Sequence, residues 1–182
     1  MRNKVITLLL AAIVIIAPVL GNPIVTKAAE SSRVTAASAK TTQGSRLVNI
    51  ASKEIGYKEK NKDKTKYGGW YGLQNQPWCA MFVSWCANEA GISKNIIPKH
   101  AGCAQGVEWF KRKGWWKGRN YVPKEGDIIY FTKSHVGIVE SVKDGYVNTI
   151  EGNTSNMVAR RRYQLNSSKI LGYGVPKYIN IY

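Results

Sequence analysis

The distribution of apolar and polar positions divides the chain into stretches of different character. Residues 5–20 form an almost unbroken apolar run. Residues 29–44 are rich in Ser, Thr, Ala and Lys without an apolar period, the composition of a flexible linker. From residue 45 a helical spacing begins. Leu47, Ile50, Ala51 and Ile55 recur at three- and four-residue steps, and Gly56 follows as a stop. Residues 57–76 hold five lysines together with Gly68, Gly69 and Gly72, and read as a long loop. Pro77 opens the next helix, where its missing N–H costs little, and the helix runs through Ala80, Phe82, Val83, Trp85 and Cys86 to Gly91. A further helix is predicted over 104–113, closed by Gly114. Beyond Lys124, runs at 128–131, 135–142, 146–150, 157–163 and 170–173 alternate with turn residues and predict short strands. Helices first and strands later is an α+β arrangement, with N-terminal helices packed on a C-terminal antiparallel sheet.

The apolar run at the N-terminus changes the expected destination. Arg2 and Lys4 precede it, and the small-residue pattern Thr26-Lys27-Ala28-Ala29 follows. That order predicts a secretory signal peptide over 1–28, cleaved after Ala28. An uncleaved anchor is the alternative, but the run is short against the roughly 20 residues a span requires. The expected organisation is a signal peptide at 1–28, a linker at 29–44 and one catalytic domain at 45–182. The product would be secreted, extracellular or wall-associated. Cleavage removes Arg2, Lys4 and Lys27 and no acid, so a formal charge of +16 falls to +13. Such a charge favours anionic polymers. Nucleic acid is not expected for a secreted monomer; a phosphate-rich wall polymer or an anionic membrane surface suits it better. A basic surface kept for solubility is the plain alternative.

Candidate chemistry centres on Cys79, in Gln76-Pro77-Trp78-Cys79-Ala80-Met81-Phe82-Val83-Ser84-Trp85. Unpaired N–H groups and the helix dipole at a helix start favour thiolate over thiol, and can hold an oxyanion. A small core residue is the alternative reading of this cysteine. The chain has two histidines. His100, in Ile97-Pro98-Lys99-His100, reads as exposed loop, whereas His135 opens an apolar strand that can hold an imidazole rigidly. Glu151 and Asn153, in Ile150-Glu151-Gly152-Asn153, can orient that base. Trp70, Tyr71, Gln76 and Trp78 are candidates for binding substrate, and Trp109 for lining the groove, with core packing as the default for the aromatics. The other cysteines, Cys86 and Cys103, either form a bridge or stay as buried thiols.

Strand parity decides whether Glu151 can join His135. A two-residue turn at Asp144-Gly145 would set the two side chains on opposite faces. A three-residue loop at 143–145 pairs Val142 with Tyr146, faces His135 toward Asn153, and makes Glu151 a same-face diagonal neighbour of His135. The expectation is therefore the odd-length loop, with Gly145 at positive φ.

Residues from about 45 to 178 resemble the CHAP domain, the cysteine- and histidine-dependent amidohydrolase/peptidase. The resemblance rests on Trp78-Cys79-Ala80-Met81-Phe82-Val83-Ser84-Trp85-Cys86, on Ser134-His135-Val136-Gly137-Ile138-Val139, and on Ile150-Glu151-Gly152-Asn153, in that order. It implies a papain-like fold related to the NlpC/P60 peptidases, and cleavage of amide bonds in peptidoglycan. It implies Cys79 as nucleophile, His135 as general base, and Glu151 with Asn153 as the orienting pair. Some relatives bind calcium in an acidic loop before the cysteine. Here Asn61-Lys62-Asp63-Lys64-Thr65-Lys66 has one acid among lysines, so neither metal nor cofactor is expected. No separate wall-binding module is expected, and the basic surface would take that role. A protein-directed cysteine protease and a non-catalytic wall-binding module are the rival readings.

Overall fold

The computed structural model describes residues 42–179; the expected signal peptide and most of the linker lie outside them. Helix α1, Gln43–Lys53, starts at an N-cap threonine: Thr42 Oγ1 accepts the Ser45 N–H at 3.0 Å. It therefore begins two residues before the predicted domain boundary. Its buried stripe holds Leu47, Val48 and Ala51. The stretch read as loop contains a second helix, α2, Lys66–Tyr71, which its glycines concealed. Thr65 Oγ1 caps it by accepting the Gly68 N–H, and Gly72 closes it in the left-handed region at φ 91°. Helix α3, Cys79–Glu89, buries almost its whole circumference, including Ala80, Met81, Phe82, Val83 and Cys86. Helix α4 spans Cys103–Arg112.

The strands are β1 Trp116–Gly118, β2 Ile128–Phe131, β3 His135–Lys143, β4 Tyr146–Glu151, β5 Ala159–Gln164 and β6 Ile170–Gly174. They form one antiparallel sheet in the order β1-β6-β2-β3-β4-β5. Only the three-residue β1 was not predicted. Helix residues such as Leu47, Phe82 and Phe110 share one core cluster with Ile128, Tyr130, Val136, Ile138 and Ile150 of the sheet. The other cluster holds Ile129, Phe131, Val139, Val147, Ile170 and Tyr173. This is why β2 is buried at every position and shows no alternation. Full burial of each Leu, Phe or Met in such a core contributes about 1.5–3 kcal/mol.

The β3–β4 hairpin corrects the predicted loop. Lys143 pairs with Tyr146, so the turn is the two-residue Asp144-Gly145, with φ 53° and 76°. Positive φ at both positions is the turn whose twist suits a hairpin. The register then shifts between Val139 and Ser141, where Glu140 is the extra residue of a bulge. Beyond it, Val139 faces Thr149 and Ile138 faces Ile150. The bulge restores the parity the longer loop was expected to supply, and His135 and Glu151 end on one face.

Candidate active site

Cys79 is the first residue of α3, and no side chain caps that helix, whose N-cap is Trp78. The first N–H groups of the helix therefore lack both an intrahelical and a side-chain partner. Cys79 is 5% exposed, and His135 lies near enough to pull its thiol pKa down. His135 opens β3, directly after Ser134 at φ 51°. His135 Nε2 lies 2.8 Å from Glu151 Oε2. With Nε2 engaged by the carboxylate, Nδ1 is the nitrogen left to serve the thiol.

Glu151 is fully buried and each of its oxygens is occupied. Oε1 accepts the Thr149 hydroxyl at 2.6 Å, and Oε2 accepts the Tyr163 hydroxyl at 3.2 Å as well as the imidazole. Gly137 makes room for it, since a Cβ there would lie 2.6 Å from Glu151 Cγ. Neither Thr149 nor Tyr163 was singled out in the sequence. Thr149 sits two residues before Glu151 on β4, a spacing that puts both side chains on one face and could have flagged it. Tyr163 comes from β5 and gives no local signal.

Burial disfavours a charged His135, but the neighbouring Cys79 and the hydrogen-bonded Glu151 outweigh it and push its pKa up to about 9. The thiol has a second neighbour. Cys103, the first residue of α4, places its Sγ 3.8 Å from that of Cys79. With Cys79 donating, this hydrogen bond and burial push Cys79 up, against the pull of His135. The same bond, with help from Ser134, pulls Cys103 down against its burial.

The remaining predicted residues fall in different places. Asn153 is partly buried in the turn after β4 at φ 55°, and no hydrogen bond joins its side chain to His135. Trp78 is a core residue: it is fully buried, stacks on Tyr67 with centroids 5.2 Å apart, and donates Nε1–H to Glu59 at 2.9 Å. Trp70 and Tyr71 are half-buried on α2 beneath the Lys99 ammonium, 4.6 and 4.7 Å from their centroids. Gln76 is exposed, and Trp109 packs on Phe110 and Trp115. The cavities next to the site have other linings. One of about 300 Å³ is lined by Phe131, Thr132, Lys133, His135, Tyr163 and Lys169. A neighbouring one of about 250 Å³ includes Cys103, Tyr130, Phe131 and Ser134.

His100 is not exposed. It is 3% accessible, with Nδ1 2.9 Å from the Pro98 carbonyl and Nε2 3.2 Å from the Tyr130 hydroxyl. Burial lowers its pKa, so it is a neutral structural histidine. All three cysteines among the described residues are free, so Cys86 and Cys103 form no bridge.

Residues 70–153 match the family model of the CHAP domain. This segment is a CHAP domain. It holds Cys79, Cys103, His135, Thr149, Glu151 and Asn153; α1, β5 with Tyr163, and β6 lie outside the matched CHAP segment. Among solved structures, the chain is similar to "The crystal structure of Ly7917 with the hydrolyzing product of MDP", at 15% identity and a TM-score of 0.49. It is also similar to "The crystal structure of Ly7917", at 15% identity and a TM-score of 0.46. Each match covers 73% of this chain and 62% of the other, so the chain spans less than two thirds of their length. No curated protein matches the sequence.

Proposed function

We propose that the chain is a peptidoglycan hydrolase that cleaves amide bonds with Cys79 as nucleophile. The observation that carries this reading is His135 held between Cys79 and the buried, fully engaged Glu151, within a CHAP domain. With the imidazole in its neutral form, the Cys79 sulfur attacks the carbonyl carbon of the scissile amide as His135 Nδ1 takes the thiol proton. The resulting oxyanion faces the free N–H groups at the start of α3. Collapse breaks the C–N bond, and the imidazolium gives its proton to the leaving amine. The thioester is then hydrolysed by water, with His135 again as base, releasing a carboxylic acid and the thiol. Glu151 fixes the tautomer and stabilises the cation. Asn153, in the turn after β4, would contact substrate rather than the imidazole.

Residues 1–28 would deliver the enzyme outside the cell, where its substrate lies, and the mature surface at +13 would attract anionic wall polymers. Exposed charges are screened over about 8 Å at physiological salt and about 3 Å at 1 M. Binding to intact wall should therefore weaken with salt, and binding to wall stripped of phosphate polymers should respond less. Mass spectrometry of fragments from digested wall tests the function itself. New amine and carboxyl ends in peptidoglycan, without cleavage of casein, support it. Cleavage of casein with intact peptidoglycan would point to a protein-directed protease instead.

A further inference from the structure

We propose that the cavity beside His135 is the subsite for the leaving half of the substrate, and that it selects a leaving amine bearing a carboxylate. This deepens the peptidoglycan-hydrolase reading and rests on it. His135 must deliver its proton to the departing nitrogen, so that nitrogen occupies space the imidazole faces. His135 lines one described cavity, of about 300 Å³. Phe131 and Tyr163 wall it with centroids 4.7 Å apart, a surface suited to a short carbon chain. Lys133 and Lys169 complete it, both exposed, and no carboxylate lines it. A backbone hydrogen bond from Thr132 N–H to the Lys169 carbonyl, 2.9 Å, ties together the two turns that carry them. Glu151, which shares the Tyr163 and His135 side chains with the cavity wall, is buried and engaged by His135, Thr149 and Tyr163. The cavity therefore presents two cations with no carboxylate in its lining, beside the imidazole ring.

The test uses purified peptidoglycan freed of phosphate polymers, untreated or with its carboxylates converted to amides by carbodiimide and ammonia. The wild-type chain should digest the untreated material about fivefold faster, the scale of two exposed charge contacts. That ratio should fall to about one in the Lys133→Gln/Lys169→Gln variant, and persist in the charge-matched Lys53→Gln/Lys143→Gln control. Equal digestion of both materials by wild type, or a ratio that survives in the first variant, overturns the subsite alone. Digestion of neither material overturns the reading on which it rests.

The structure assigns Cys103 a separate role, as a thiol poised to close onto the nucleophile. Both sulfurs sit at the first position of a helix, 3.8 Å apart, and Cys103 also lines a cavity that gives small molecules access. A disulfide has its sulfurs about 2.05 Å apart, so the pair must approach by under 2 Å. With a peroxide as oxidant, the Cys79 sulfur attacks one peroxide oxygen, the O–O bond breaks, and a sulfenic acid and hydroxide form. The Cys103 sulfur then attacks the Cys79 sulfur, the S–O bond breaks, and a second hydroxide leaves. Two thiols lose two electrons in total, and the peroxide is reduced to water. Such closure masks the nucleophile reversibly and spares it from irreversible oxidation.

Peptide mapping after hydrogen peroxide treatment of the full chain tests this without reference to any substrate. The expected product is a cross-linked pair of peptides carrying Cys79 and Cys103, two hydrogens lighter than the thiols and released by dithiothreitol. Cys86→Ala should behave likewise. Cys103→Ala should instead gain oxygen at Cys79 and not return to the thiol. Absence of the cross-link in wild type, or an oxidised Cys79 equally recoverable in Cys103→Ala, overturns the role.

Discussion

Glu151 Oε2 lies 2.8 Å from His135 Nε2 although a two-residue turn joins their strands. The extra residue that makes this possible is Glu140, whose own side chain points away to an exposed ion pair with Arg160. A bulge far from the chemistry thus sets which face the base presents.

Deleting Glu140 should keep the parity and the site, because Ser141–Asn148 and Val139–Thr149 then become successive pairs of a regular ladder and the two-residue turn needs no bulge. Wall digestion by the deletion variant should stay near the wild-type rate. A loss of orders of magnitude would show that the bulge does more than take up one residue.

Glu151→Gln should cost about 10² or more in turnover, since the imidazole loses both its orienting acceptor and the charge opposite its cation. The same change should lower the pH at which His135 loses its proton, now held near 9 against an ordinary 6.5. A raised pKa stabilises the fold fully below the unfolded value and loses that contribution as pH rises through the folded one. Wild type should therefore lose thermal stability between pH 6.5 and 9 relative to His135→Gln. Histidine NMR titration and thermal melts across that window read the two effects.

Gly137→Ala should displace the Glu151 carboxylate, because the new Cβ would meet Glu151 Cγ at 2.6 Å. Overpacking of this kind costs about 1–3 kcal/mol. Turnover should drop, and the His135 pKa should move down as in Glu151→Gln. A melt lowered by a few degrees with unchanged turnover would show that the carboxylate tolerates the crowding.

Much of the site was legible because its parts lie at element starts and ends. Pro77-Trp78-Cys79 marks a helix start, and the apolar runs after His135 and before Glu151 mark strand ends. The aromatics misled because size does not tell a groove from a core: Trp78 fills the core beside Tyr67 and Phe82. Helix α2 was hidden by Gly68 and Gly69, whose weak propensity is overridden by packing. A Cβ at Gly68 would lie 2.7 Å from the Leu73 carbonyl and 2.8 Å from Gln74 Oε1, so this helix needs glycine there. Cys103 and Tyr163 reach the site through tertiary packing alone, and a one-residue bulge leaves no mark on an alternating strand.

The central claim is that Cys79 attacks the amide. The most direct measurement is release of new amine ends from purified peptidoglycan by wild type, Cys79→Ser and Cys86→Ser, each confirmed as folded by its melt. Wild type and Cys86→Ser should release these ends, and Cys79→Ser should lose release by orders of magnitude, because a serine there lacks the thiolate's nucleophilicity. Release by Cys79→Ser at the wild-type rate would contradict that claim.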